Sequence, residues 1–185
     1  MKRKSKILLS LVILLVIAIT IRVVYINDKF PSQKNHTYAM GQEMQYKGCT
    51  MKILDFQVGS PEICKDVLDE YDYNKNFGEK PNVPNASKKV MLVTVNVKNN
   101  SDTDFKPSGF QIITGNVSNG TDMNLMDVYN PKGYKVKSNS ESPIILAYTI
   151  TENNVTSKKW MNFENEDFAI STADRDNYYL LKLNK

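Results

Sequence analysis

The chain opens with one long apolar run. Fifteen of the twenty residues from Ile7 to Ile26 are Leu, Ile or Val. At a rise of about 1.5 Å per residue, a helix of this length spans roughly 30 Å, the thickness of the hydrocarbon core of a bilayer. The pattern predicts a single transmembrane helix over 7–26, with the basic residues 1–6 forming a cytoplasmic tail.

Arg22 interrupts this run. Only four residues, Val23 to Ile26, separate it from the polar segment that follows, so its side chain can snorkel to the membrane surface. The alternative is a cleaved signal peptide and a secreted domain, but no good small-x-small cleavage site follows the apolar region. We expect a retained anchor in the cell membrane, with the N-terminus in the cytoplasm and the rest of the chain extracellular.

The next segment, 27–40, is polar and lacks strong periodicity, and it predicts a tether. After the tether, apolar and polar residues alternate in short runs separated by turns. The clearest strand has four residues on one face: Met91, Val93, Val95 and Val97. Leu54, Phe56 and Val58 form a second such face, and Phe110 and Ile112 form a third.

Other segments complete the pattern. Residues 142–150 are apolar nearly throughout, as in a strand that is buried on both faces. Ser60 as N-cap and Pro61 at the first helical position instead predict a short helix within 60–73. Further strands are predicted at 167–171 and 178–183, and weaker ones at 42–47, 121–129, 134–138 and 158–163. The fold class predicted for 41–185 is all-β: an antiparallel β-sandwich with one short helix insert.

Two stretches, "GQEMQYKGCTMKILDFQV" and "KKVMLVTVNVKNNSD", carry a resemblance. Together they resemble a family of uncharacterised extracytoplasmic domains of Gram-positive bacteria, over roughly residues 40–185. Members commonly follow an N-terminal anchor or lipobox and resemble the immunoglobulin-like fold of a small mycobacterial secreted antigen. The resemblance implies an immunoglobulin-like sandwich. It implies no functional residue, because the family has no established activity, and the helix insert around 61–73 is a departure from it.

The charge distribution excludes one class of partner. The chain has a formal net charge of +4, but residues 27–185 contain 19 Lys and Arg against 20 Asp and Glu. The positive excess therefore lies in the membrane segment and its tail, where it sets topology. The predicted domain has no excess positive charge for nucleic acid, and we expect no nucleic-acid partner.

The single histidine, His36, lies in the predicted tether. A Ser-His-Asp or Cys-His arrangement in the folded domain then has no base, and a His-based zinc site has no ligands. We expect no enzyme activity and no catalytic, cofactor-binding or metal-binding residues. The acidic clusters are interpreted as solvated loops: Asp69, Glu70 and Asp72; Asp102 and Asp104; Glu164, Glu166 and Asp167; Asp174 and Asp176.

Cys49 and Cys64 are the only cysteines, with fourteen residues between them. An even count in a segment placed outside the cell predicts a disulfide. Closing a loop of this size would stabilise the fold by about 3 kcal/mol. The alternative is two separate thiols.

The ten tyrosines suggest a binding surface, because exposed aromatic residues favour recognition. Five lie at or near predicted loops and strand ends: Tyr71, Tyr73, Tyr129, Tyr134 and Tyr178. For any single one, a buried ring with an exposed hydroxyl is the alternative. We expect a membrane-anchored domain that binds a protein or cell-wall partner. The other hypotheses are an accessory subunit that contacts a membrane complex through its transmembrane helix, and a carboxylate-dependent envelope hydrolase.

Overall fold

The computed structural model describes residues 3–30, 32–78 and 86–183. The chain begins with helix α1 (Arg3–Lys29) and continues as two sheets. The five-stranded sheet contains, in spatial order, β1 (Lys34–Tyr38), β9 (Asn177–Leu183), β8 (Phe168–Ala173), β5 (Gln111–Thr114) and β6 (Val117–Gly120). The four-stranded sheet contains β2 (Glu43–Tyr46), β3 (Cys49–Gly59), β4 (Lys88–Asn99) and β7 (Ser140–Thr151). The predicted all-β sandwich is confirmed, and its strands are antiparallel except that β1 runs parallel to β9.

The core lies between the two sheets. The predicted inward face of β4 is confirmed, because Met91, Val93, Val95 and Val97 are all buried. Tyr46 at the end of β2 packs edge-on against Phe110 and Tyr179, at centroid distances of 5.5 and 5.4 Å. The two-residue turn between β2 and β3 uses Lys47 (φ 48°) and Gly48 (φ 77°), as tight hairpins require.

The alternation predicted for β3 is wrong at one position. Leu54 is exposed, whereas Ile53 and Phe56 are both buried. A β-bulge causes this, because the pairing with β4 skips Leu54 between Ile53 and Asp55. The extra residue shifts the inward face from odd to even positions.

Strand β7 is buried on both faces along its second half, as the apolar run predicts. Its outer face is covered by helix α3 (Met123–Tyr129). The strand predicted at 121–129 is therefore wrong. Asp122 caps this helix by accepting hydrogen bonds from the N–H groups of Asn124 and Leu125, a start signal that the strand interpretation overlooked.

The predicted helix insert is present but divided. A 3-10 helix spans Pro61–Cys64, and α2 (Glu70–Phe77) begins separately after Asp69, whose carboxylate accepts the N–H of Asp72 at 2.7 Å. Further short helices follow, so one insert is an underestimate. The strand predicted at 158–163 is wrong, since helix α4 (Ser157–Met161) occupies it, and 134–138 contributes only an isolated bridge between Phe105 and Val136.

The segment predicted as a tether is mostly structured. Helix α1 continues to Lys29, and β1 uses Lys34–Tyr38. The edge of β9 offers hydrogen-bonding groups that a sequence pattern does not reveal. His36 consequently belongs to the sandwich, where its Nε2 lies 2.8 Å from Asn177 Oδ1 and its ring stacks on Tyr179. Of the predicted cytoplasmic tail, residues 1–2 lie outside the described residues.

Candidate functional site

The sandwich has two distinguishable ends. The near end follows α1: Lys34 pairs with Asn177, and the Tyr46 hydroxyl donates to the carbonyl of Ala173 at 3.3 Å. From the near end, the eleven residues of β3 carry the chain away by about 35 Å. The segment Pro61–Phe77, here called the distal cap, therefore lies at the end that is farther from α1.

The distal cap is attached through its buried side. Cys64 and Leu68 are buried in it, and its 3-10 helix contacts β4. Val90 and Leu92 of β4 point outward from the sheet and are nevertheless buried, because helical segments cover them. The cap thus completes a second layer of core outside the four-stranded sheet.

The opposite side of the distal cap faces solvent and is apolar in part. Tyr71 is 75% exposed and Val67 is 49% exposed. The cap also contains five Asp and Glu against two Lys, a formal charge of −3. Exposed aromatic and aliphatic side chains within a charged rim are typical of protein-binding surfaces.

Two predicted tyrosines help to build the cap. The Tyr73 hydroxyl donates to Glu62 at 3.1 Å, and Lys65 lies over the Tyr73 ring at 5.3 Å. The Tyr129 hydroxyl reaches the carbonyl of Ile63 at 3.5 Å. The side chain of Lys65 also lowers the pKa of Glu62, but both side chains are exposed and the pair contributes little stability.

The five predicted tyrosines do not form one surface. Tyr71 and Tyr73 lie in the distal cap, and Tyr129 of α3 reaches the cap at the Ile63 carbonyl. Tyr134 lies elsewhere, under the ammonium of Lys106 at 5.3 Å. Tyr178 lies on β9 of the five-stranded sheet. Sequence reasoning grouped them by residue type, whereas the fold separates them by strand order.

The predicted disulfide between Cys49 and Cys64 is wrong. Both thiols are free and buried. Cys49 begins β3 and its Sγ lies 3.5 Å from Asn99 Oδ1, whereas Cys64 follows the far end of the same strand. A disulfide requires Cα atoms within about 7 Å. Burial raises the pKa of both thiols, which disfavours the reactive thiolate.

Arg22 lies on α1, where residues from Ile7 to Lys29 are long and apolar enough to cross a membrane. A cleaved signal sequence would satisfy the same test. The Arg22 guanidinium lies 5.9 Å from the centroid of the Tyr25 ring, and Lys29 Nζ donates to the Tyr25 hydroxyl at 3.0 Å. Aromatic and basic residues at this end of an apolar helix are typical of the membrane–water interface.

A second surface, here called the open face, is the outer side of the five-stranded sheet. Strand register assigns twelve residues to it: Asn35, Thr37, Gln111, Ile113, Ser118, Gly120, Ala169, Ser171, Ala173, Tyr178, Leu180 and Lys182. Only Lys182 is charged, although charged residues make up 24% of the chain. Depletion of charge distinguishes interface cores from ordinary surface.

Several carboxylates line one cleft of about 300 Å³ beside Phe168, namely Glu164, Glu166 and Asp167. Glu164 accepts a hydrogen bond from Lys89 Nζ at 2.6 Å, so it is neutralised by an ion pair. Among the described residues, no group of three or more His, Cys, Asp or Glu side chains is arranged to hold a metal ion.

Three solved structures are similar to the chain. An uncharacterised β-sandwich protein from Clostridium difficile 630 is 10% identical, with a TM-score of 0.47, over 83% of this chain and 97% of that one. A functionally unknown protein from Listeria monocytogenes EGD-e is 14% identical, with a TM-score of 0.45, over 72% and 71%. A conserved hypothetical protein from Bacillus anthracis is 14% identical, with a TM-score of 0.40, over 72% and 87%.

The sequence comparisons give one result. No functionally curated protein matches the chain. A family profile described as a domain of unknown function, DUF5028, matches residues 35–173, from the second residue of β1 to the end of β8. The chain therefore belongs to the DUF5028 family.

Proposed function

We propose that this chain is a membrane-anchored, immunoglobulin-like domain of a Gram-positive cell surface that binds a protein or cell-envelope partner outside the cytoplasm. The observation that carries the proposal is the pairing of two features. Helix α1 has an apolar surface of membrane length, none of which packs against the sandwich. The distal cap presents Tyr71 and Val67 to solvent at the other end.

The chain between these features holds the sandwich close to the anchor. The Gln33 side chain donates to the carbonyl of Asp174 at 2.6 Å, and the Lys34 N–H donates to that of Asp176. Because β1 then continues into the sheet, few residues separate α1 from the fold. The anchor would place the near end beside the membrane and direct the distal cap away from it, toward a partner.

The chemistry of the distal cap suggests the kind of partner. Its formal charge of −3 favours a basic rim on the partner, and the Tyr71 ring favours an apolar pocket at the centre. The proposal assigns no catalytic step to the domain, and the free, buried thiols play no part in it.

The first test concerns the anchor. The intact mass of the native protein, measured from the membrane fraction without reductant, should equal that of the full chain. A mass that lacks roughly the first twenty to thirty residues, with the protein released, would instead show cleavage and a secreted domain.

The second test concerns the distal cap. A photo-crosslinking residue at Tyr71 should capture one specific partner on intact cells, and Val67→Ser should reduce its yield. The same crosslinker at Lys98, exposed on β4 away from the cap, serves as the matched control. Equal, background yields at both positions would remove the distal cap from the proposal.

Replacing residues 7–26 by an unrelated anchor separates this proposal from the accessory-subunit hypothesis. Arg22 in the apolar helix is the observation that favours the latter, because a charged residue in a membrane segment often contacts a partner helix. Retained capture after the exchange would favour the sandwich as the binding element. Loss of capture would favour the helix.

A further inference from the structure

We propose that the open face is a dimer interface: two copies of this chain pack through it, and Lys182 of each copy pairs with Asp167 of the other. This association uses a different surface from the distal cap. It does not depend on the partner proposed above, but it rests on the proposed membrane anchor, which brings the two copies together.

The open face combines two properties of an interface core. It has one charged residue among twelve, and four of its residues, Ile113, Ala169, Tyr178 and Leu180, keep apolar surface partly exposed to solvent. Among the described residues, no helix makes an extensive contact with this face. A surface of this composition gains free energy when another apolar, uncharged surface excludes water from it.

The open face has a row of small side chains beside a row of large ones, so two copies of the face can fit together. The outward residues of β8 are small, namely Ala169, Ser171 and Ala173, and they form a trough. The outward residues of the adjacent β9 are large, namely Tyr178, Leu180 and Lys182, and they form a ridge. A second copy therefore supplies the ridge that fills this trough, and the first copy does the same in return.

The positions of the ridge and the trough fix how the two copies are related by symmetry. In the β8–β9 register, Ala173 pairs with Tyr178 and Ala169 with Lys182, so the two rows match in length. A two-fold axis parallel to the strands, placed between β8 and β9, lays each β9 ridge over the β8 trough of the other copy. This operation is closed and yields a dimer rather than a fibre.

The same symmetry matches the charges. Lys182 lies beside Ala169, and Asp167 immediately precedes β8, so Lys182 of one copy comes close to Asp167 of the other. Both side chains are exposed, and both line one cleft of about 300 Å³. Neither forms an ion pair within the described part of the chain. Each dimer would contain two such pairs by symmetry.

The two-fold axis is also compatible with both chains being anchored in the same membrane. Because it runs along the strands, it leaves both near ends, and hence both α1 helices, on the same side. The open face measures roughly 400 Å² per copy from the strand spacing and rise. Stable interfaces bury about 800 Å² per partner. The sandwiches alone would thus associate weakly, and shared anchoring in one bilayer would raise their effective concentration.

The test uses two differently tagged full-length chains, produced together in membranes and treated with a short bis-maleimide. One chain carries Lys182→Cys and the other carries Asp167→Cys. We expect a mixed dimer in at least about fivefold higher yield than from two chains with Lys98→Cys on the four-stranded sheet. Cys49 and Cys64 are buried and serve as an internal background.

A charge exchange supplies the second readout. Lys182→Asp alone and Asp167→Lys alone should each reduce dimer formation by at least about fivefold, whereas both substitutions in one chain should restore it. These sites are exposed, so circular dichroism should show unchanged folding. Equal yields at Lys98, no restoration by the double exchange, or crosslinking of Lys182→Cys only to a different protein would each overturn the proposed dimer.

Discussion

The two sheets differ in whether helical segments cover their outer faces. On the four-stranded sheet, β4 and β7 carry apolar residues on both faces, and the distal cap and α3 cover the outer one. On the five-stranded sheet, the outer positions of β8 are small and no described helix packs extensively on them. One face is therefore part of the folding core, and the other is left available.

The covered outer face and the open face therefore differ in what their apolar residues contribute to the fold. Helix α3 and the inner side of the distal cap bury the apolar side chains on the outer faces of β4 and β7. Packing alone accounts for their apolar residues. The half-buried residues of the open face, such as Tyr178 and Leu180, are not needed to fill the core between the sheets.

The largest expected effect comes from truncating leucines on the two faces. Leu125 of α3 is fully buried, so Leu125→Ala should lower the free energy of unfolding by about 3 kcal/mol. Leu180 on the open face is half-buried, and Leu180→Ala should cost less than about 1 kcal/mol. Urea unfolding followed by circular dichroism measures both. Similar costs at the two sites would mean that the open face is also part of the folding core.

A smaller loss is expected where α3 meets the edge of the four-stranded sheet. The Asn130 side chain donates to the carbonyl of Ile145 at 2.8 Å and accepts the Ile145 N–H at 2.9 Å, as a neighbouring strand would. Asn130→Ala leaves both backbone groups without this partner and should cost about 2 kcal/mol. Asn35→Ala on the exposed edge strand β1 is the matched control and should change stability by less than about 0.5 kcal/mol.

The strands whose pattern is long or repeated could be predicted from the sequence. β4 and β7 were assigned with their faces, because an apolar residue at every second position, or at nearly every position of a short run, strongly favours a strand. The sandwich followed from these strands. The wrong assignments concern short segments: Leu54 lies at a bulge, and helices replace the strands predicted at 121–129 and 158–163. Both outcomes depend on contacts with a neighbouring element.

The candidate sites were less predictable for the same reason. Tyr129 reaches the distal cap, which contains Tyr71 and Tyr73, only because the cap folds back over β4 and toward α3, and no spacing in the sequence encodes that. The disulfide prediction rested on an even cysteine count in a segment placed outside the cell, whereas Cys49 begins β3 and Cys64 lies beyond the other end of that strand. The open face emerges only after the registers of β5, β8 and β9 are known.

A gain in stability is expected from a residue inside the core. Tyr148 of β7 is fully buried, and its hydroxyl has no hydrogen-bond partner among the described residues. Burial raises its pKa, as an uncompensated hydroxyl requires. Tyr148→Phe removes the buried polar atom and should raise the free energy of unfolding by about 1 kcal/mol. Tyr179→Phe is the contrasting change, since that hydroxyl donates to Asp174 at 3.0 Å, and it should destabilise the fold.

The smallest effect concerns pH and the turn between β8 and β9, which joins the five-stranded sheet to the segment after α1. Desolvation raises the pKa of Asp174, but the hydrogen bonds it accepts lower it further, so the net pKa is below the usual value. The donors are the N–H groups of Asp176 and Asn177, the Asn177 amide and the Tyr179 hydroxyl.

A depressed folded-state pKa stabilises the fold at pH values above the unfolded pKa of about 3.9, and the contribution is lost as the pH falls through the folded value. Asp174→Asn should therefore be less stable than the unsubstituted chain at pH 7, and the difference should shrink steadily below pH 4. Asp176→Asn makes the same change in net charge two residues away. If Asp176→Asn reproduces the pH dependence of Asp174→Asn in urea unfolding, the effect comes from overall charge, and the turn does not hold the sheet to the segment after α1 through Asp174.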